Sequence, residues 1–201
     1  MMTSSIPYTA VLTCHPETCS EAVGSIEAPV CWTPAGTLAL TYVLKGDISR
    51  LRIPPPRRPR RADRLWQHTC FEAFVSVKGK PEYYEFNFAP SGEWAAYAFR
   101  QYRDGAPIVN EELAPGIRVR TGESFQVEAI IRLDRLPNID TRSRLRLGLS
   151  AIIEENDGKL FYWALKHPPG KPDFHHPDAS TLELDPPDVD AVNDPAYTAK
   201  R

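Results

Sequence analysis

Apolar residues recur at every second position through most of the chain, the spacing that lays one face of an extended strand against a core. Leu38, Leu40, Tyr42 and Leu44 share a face whose reverse carries Thr37, Ala39, Thr41 and Val43. Lys45-Gly46-Asp47 predicts a turn, and Ile48, Leu51 and Ile53 a less regular strand. Further on, Phe71, Ala73, Val75 and Val77 point one way, with Cys70, Glu72, Phe74 and Ser76 on the other side. The next strand sets Tyr84, Phe86 and Phe88 toward the core and Tyr83, Glu85 and Asn87 away from it. Ala89-Pro90-Ser91-Gly92 suits a tight turn, and residues 94–99 return antiparallel, so three strands form a meander.

The period of two resumes at Ile117 and Val119, at Phe125, Val127, Ala129, Ile131 and Leu133, and at Leu145, Leu147, Leu149 and Ala151. Asn156-Asp157-Gly158 signals a hairpin into residues 160–165, and a short strand is expected at 181–184. Residues 54–64 are dominated by proline and arginine and read as an extended loop. Residues 102–115 are polar and turn-rich. About ten short strands with no convincing helical periodicity predict an all-β fold, an antiparallel β-sandwich of Ig-like or jelly-roll-like form. Residues 1–184 are expected to form one domain, and 185–201 a flexible tail.

Composition narrows the function classes. A net charge of -2 provides no general attraction to nucleic acid or anionic lipid, so neither is expected as a partner. No apolar stretch approaches the length of a membrane helix, and residues 1–10 lack the pattern of a secretory signal. Four cysteines (Cys14, Cys19, Cys31 and Cys70) in a chain of 201 residues fit free thiols in a reducing cytoplasm. Cys14, His15 and Cys19 suggest a metal clip, but no further ligands lie nearby to complete it.

Two segments concentrate the candidate chemistry. Residues 64–75 and 161–176 together hold four of the five histidines and two of the four tryptophans. The runs Leu65-Trp66-Gln67-His68-Thr69-Cys70-Phe71-Glu72, Tyr83-Tyr84-Glu85-Phe86-Asn87-Phe88-Ala89-Pro90-Ser91-Gly92-Glu93-Trp94 and Tyr162-Trp163-Ala164-Leu165-Lys166-His167-Pro168-Pro169-Gly170-Lys171-Pro172-Asp173-Phe174-His175-His176 resemble bacterial DOMON-like proteins, relatives of the family-9 carbohydrate-binding modules and the DOMON domains. The resemblance spans residues 38–184. It implies a β-sandwich with a ligand site at one end or on one face, with Trp66 and Trp163 in the places of the aromatic clamp of the sugar-binding modules. Haem-binding DOMON domains use Met and His ligands, whereas the methionines here are Met1 and Met2 alone.

A sugar binder needs aromatic planes for its CH faces and fixed polar groups for its hydroxyls. Trp66, Trp163 and Phe174 supply planes; Arg64, His68, Glu72, Asn87, Lys171, Asp173 and His175 supply polar groups. For Trp163, which alternates with Tyr162, core packing competes evenly with a ligand role. The expected function is non-catalytic binding of a small carbohydrate-like or anionic molecule, such as a sugar or sugar phosphate, without a cofactor. One alternative is a divalent metal or haem held by His68, His167, His175 and His176. Another is a hydrolase using Glu72 and Glu85, whose plainer reading is a solvated sheet face or ion pairs to the loop arginines. The run Arg57, Arg58, Arg60, Arg61 and Arg64 reads as a solvated loop, and as a phosphate or carboxylate binder if it has a function.

Overall fold

The computed structural model describes residues 8–33 and 37–187; the expected tail beyond 187 and the residues before 8 lie outside the described part. Among the described residues, the chain forms twelve strands. These are β1 (Tyr8–Cys14), β2 (Val23–Trp32), β3 (Leu38–Gly46), β4 (Cys70–Val77), β5 (Tyr83–Phe88), β6 (Trp94–Gln101), β7 (Asp104–Pro107), β8 (Gly116–Thr121), β9 (Phe125–Ile131), β10 (Leu145–Glu154), β11 (Leu160–Ala164) and β12 (Leu182–Leu184). Every strand pairing is antiparallel.

Two layers result, and they are stitched together at one strand. The first sheet runs β1-β2-β3-β9-β8, and the second β7-β6-β5-β4-β10-β11-β1, with β12 joining β10. Strand β1 belongs to both, because Tyr8 to Leu12 pair with β2 while Thr13 and Cys14 pair with β11. The expected sandwich is therefore present, with its sheets continuous through a shared edge. No helix among the described residues is long and apolar enough to cross a membrane.

The core forms from the positions that the alternation selects. Leu38, Leu40, Tyr42 and Leu44 of β3 and Phe125, Val127, Ala129 and Ile131 of β9 face Phe71, Ala73 and Val75 of β4 and Leu145, Leu147 and Leu149 of β10, all essentially solvent-free. Tyr42 packs on Phe71 at 5.1 Å between ring centroids, and its hydroxyl donates to the Glu72 carbonyl at 2.6 Å. That bond pins the middle of one sheet to the middle of the other.

Three segments depart from the sequence reading. The expected strand at Ile48, Leu51 and Ile53 is a 3-10 turn at Ile48–Arg50 followed by a lone bridge at Leu51, because the Asp47 carboxylate accepts from the Ser49 amide and closes a turn. The turn-rich 102–115 stretch contains β7, which lies so close to β6 that a Cβ at Gly105 would come within 2.4 Å of the Ala98 carbonyl. Strands β1 and β2 were not anticipated. Within β2, Ile26, Ala28, Val30 and Trp32 alternate inward, but Pro29 interrupts the strand signal.

The intersheet bond generates a direct expectation. Tyr42→Phe is expected to lower stability by about 1 kcal/mol, and Phe71→Ala by about 3–5 kcal/mol. Urea denaturation checks both.

Candidate functional site

The second sheet is covered on both faces. Facing away from the core, the register sets Ser150, Glu72, Asn87 and Ala95 in one row and Gly148, Phe74, Glu85 and Tyr97 in the next. This outer face was expected to be solvated, yet Glu72 is 3% exposed, Glu85 6% and Asn87 0%. Its cover consists of the chain following β11 and of the 3-10 turn Leu65–Gln67 ahead of β4.

Between floor and cover lies a cavity of about 460 Å³. Glu72, Phe74 and Glu85 form its floor, Tyr97, Phe99 and Tyr162 its flanks, and Trp66, Phe174 and His175 its rim. That volume suits a small molecule, and apolar walls around a few convergent polar groups are the usual composition of such a site. Trp66 is 47% exposed although it touches the cavity, so its ring is open to an incoming molecule.

The covering segment is held by a polar clamp. Asp173 accepts from the Tyr102 hydroxyl at 2.6 Å and the Arg103 guanidinium at 2.7 Å. Burial pushes the Asp173 carboxyl up, but the bonds from Tyr102 and Arg103 outweigh it and hold the group below the usual range. His175 packs edge-on against Phe74 and Phe99, at 5.2 and 5.1 Å between centroids. Its Nδ1 lies 3.0 Å from the Tyr83 hydroxyl, which itself accepts the Arg103 amide. The Tyr83 proton is therefore free to point at Nδ1, leaving the hydrogen on Nε2.

The electrostatics of the floor follow from burial, which outweighs the nearby Arg103 charge. Glu72 is pushed well above its usual range by burial and by neighbouring Glu85, while Ser150 donates to it at 3.2 Å. Glu85 is raised to about 7 by burial, against the opposing pull of an Asn87 amide bond of 2.7 Å. His175 Nε2 lies 3.7 Å from Glu85, and burial with the Arg103 charge lowers this histidine to about 4. Burial thus disfavours charge on all three groups: both carboxyls are shifted up, with Glu85 at about 7 and so partly ionised near neutral pH, and His175 is shifted down.

The structure brings some of the expected site residues together and separates others. Trp66, Glu72, Phe174 and His175 line the cavity. Asn87 lies beneath it as a partner of Glu85, and Asp173 holds the cover. Arg64 and His68 line a neighbouring cleft on the far side of the 3-10 turn, and Lys171 is exposed and touches neither space. Trp163 is a correction: it points into the core at 6% exposure, opposite Ala151 and Cys14, and Tyr162 is the residue of β11 that reaches the cavity. Adjacent strand residues take opposite faces, so only one of the two can do so. Tyr97, Phe99 and Arg103 were missed. The first two carry a signal, since they alternate with Ala96 and Ala98 and so leave their rings on the outer face.

The four-histidine alternative does not assemble. His68 bonds Glu154 at 2.8 Å, His167 sits against His15 at 4.9 Å between centroids, and the His176 ring caps the Asp178 amide. Among the described residues, no three His, Cys, Asp or Glu side chains are grouped to hold a metal, and this includes the clip suggested at Cys14, His15 and Cys19. Neither carboxylate of the floor pairs with the arginines of the 57–64 loop; of these, Arg60 binds Glu93 and Arg61 binds Asp63.

No protein-family model matches the sequence, and no curated protein is similar to it by sequence. Among solved structures, the fold is similar to that of a candidate carbohydrate-binding protein from Bacteroides uniformis, with a TM-score of 0.57 at 14% identity over 86% of this chain and 84% of that one. It is also similar, with a TM-score of 0.47 at 9% identity, to a family-9 carbohydrate-binding module from Caldicellulosiruptor kristjanssonii in complexes with cellotriose and with glucose. Those matches cover 82% of this chain and 75% and 76% of the two module chains.

The Glu85–His175 pair has a testable pH signature. Glu85, raised from 4.5 to about 7, contributes stability that is complete below about pH 4.5 and lost as pH rises through 7. His175, lowered from 6.5 to about 4, contributes stability that is present above about pH 6.5 and lost as pH falls toward 4. Each is worth on the order of 2–3 kcal/mol, and in the native protein the two slopes oppose. Relative to the wild type, which shares the Glu72 contribution, Glu85→Gln is expected to lose more stability from pH 6.5 down to 4.5, and His175→Asn more from pH 4.5 up to 7. Urea midpoints at pH 5 and 7 measure this, and equal slopes in all three proteins would contradict it.

Proposed function

We propose that this chain is a non-catalytic, DOMON-like binding protein that takes a small neutral carbohydrate-like ligand in the cavity on the outer face of the second sheet. The observation that carries the reading is the joining of the two distant sequence segments around one space, with Trp66 from the first and Phe174 and His175 from the second. A pyranose presents apolar CH faces ringed by hydroxyls. Trp66, Tyr97, Phe99 and Tyr162 offer matching planes, while Glu72, Glu85 and His175 offer donors and acceptors at fixed positions.

Neutrality of the ligand is supported by the fate of the charges. Among the described residues, the only arginine lining the cavity, Arg103, is committed to Asp173, and burial shifts both floor carboxyls toward their neutral forms. An anion would meet no uncommitted positive charge there. The non-catalytic reading is supported by the placement of Glu72 and Glu85 on one sheet surface, since glycoside hydrolysis uses carboxyl groups on opposite sides of the scissile bond. The likeness in fold to a candidate carbohydrate-binding protein is in keeping with this reading.

Calorimetric titration with neutral mono- and oligosaccharides, beginning with glucose and cellotriose, is the test. Trp66→Ala is expected to weaken binding by about tenfold or more while leaving the melting temperature nearly unchanged, because the ring is half exposed. Trp163→Ala, by contrast, should cost about 3–5 kcal/mol of stability. A wild-type protein that binds no neutral sugar, or a Trp66→Ala variant of unchanged affinity, would refute the assignment.

A further inference from the structure

The arginine run expected to be a solvated loop is docked against the second sheet. The Arg57 amide bonds the Ser91 carbonyl at 2.7 Å, the Trp94 amide bonds the Arg60 carbonyl at 3.0 Å, and the Ala62 amide bonds the Trp94 carbonyl at 2.8 Å. Gly92, at a φ of +87°, brings the β5–β6 turn to within van der Waals reach of the Arg57 carbonyl. Proline-restricted backbone pinned in this way holds its side chains at defined places with little ordering left to do on binding.

Between this loop, the 3-10 turn at Leu65–Gln67 and the end of β10 lies a cleft of about 720 Å³. It opens on the opposite side of that turn from the sugar cavity, with Trp66 facing one space and Leu65 and Gln67 the other. Six formally charged residues other than histidine line it: Arg52, Arg57 and Arg64 against Asp63, Glu93 and Glu154.

The carboxylates are already matched. Glu154 is paired with Arg52 at 2.8 Å and bonded by His68, and Asp63 is paired with Arg61. Glu93 is paired with Arg60 at 2.6 Å, and that bond holds its carboxyl below the usual range. Arg60 and Arg61 reach in from outside the cleft lining, so of the cleft's own cations only Arg52 is taken up in an ion pair with its acids. The Arg57 and Arg64 side chains make no hydrogen bond or ion pair at contact distance among the described residues, and the Arg57 charge adds only the smallest of the influences that lower Glu93. Among the described residues, Arg64 is also one of two non-glycine residues held at positive φ, at +59°, a conformation that the surrounding contacts must impose.

We propose that this cleft is a second ligand site, which binds a phosphate group between the guanidinium groups of Arg57 and Arg64. Two guanidinium forks without hydrogen-bond partners equal the charge of a phosphate dianion and match its oxygens in geometry. The assignment does not depend on the sugar reading.

Titration of inorganic phosphate into the full chain, by calorimetry and amide NMR in a low-salt buffer free of phosphate, tests this. Saturable binding that weakens as salt is added is expected, with amide shifts at residues 57–68 and 89–93. The double variant Arg57→Gln, Arg64→Asn should bind at least about tenfold more weakly, asparagine being chosen because it tolerates positive φ. Arg58→Gln removes the same charge from the same loop outside the cleft and should bind like the wild type. Absence of phosphate binding in the wild type, an unaffected double variant, or an equal loss in Arg58→Gln overturns the proposal. Glucose 6-phosphate separates the sources of the group. Tighter binding than inorganic phosphate assigns a phosphorylated sugar held in the cleft, and equal affinity assigns free phosphate.

Discussion

Strand β4 is covered on both of its faces, and the rest of the structure follows from how each cover is made. Its inner side, Phe71, Ala73 and Val75, meets the first sheet in a dry apolar layer. Its outer side, Cys70, Glu72 and Phe74, is just as buried, although carboxyls and an amide lie in the same rows. Removing polar groups from water is costly unless each finds a partner or gives up its charge. Here both happen: Ser150 and Asn87 donate to the two carboxyls, and burial keeps those carboxyls from ionising readily.

That second cover is a loop and not another sheet, which has consequences for function. A loop rich in proline contributes few backbone hydrogen bonds to the surface it covers, so it must be tied down through side chains. Asp173, Tyr102 and Arg103 do this from one strand connection, while His175 wedges among Phe74, Tyr83 and Phe99. Because such a cover does not interdigitate with the floor as a second sheet would, space remains beneath it. The cavity results from covering a polar sheet face incompletely.

A single 3-10 turn divides the chemistry of this side of the molecule. Trp66 projects from it toward an aromatic space floored by two buried carboxyls, and its neighbours project toward a cleft whose acids are paired with Arg52, Arg60 and Arg61 and whose Arg57 and Arg64 have no hydrogen-bond partner among the described residues. Strand alternation has a counterpart here in a tight turn, where consecutive side chains splay to different sides. Residues adjacent in sequence thereby line two separate spaces.

The sequence by itself determined the all-β class, most strand positions and the inner face of each recognised strand, because a period of two against a core is a local property that survives without tertiary information. It also marked Trp66, Glu72, Phe174 and His175 as residues set apart from simple packing. Tertiary structure alone decided which of Tyr162 and Trp163 faces the core, since either alternation is consistent with the letters and only the pairing of β11 with β10 and β1 selects one. It alone converted a face that reads as solvated into a buried floor, because burial of a polar row depends on what folds over it from ninety residues away. The same reason separated His68 and Arg64 from Trp66: closeness along the chain does not fix the side of a turn on which a side chain emerges.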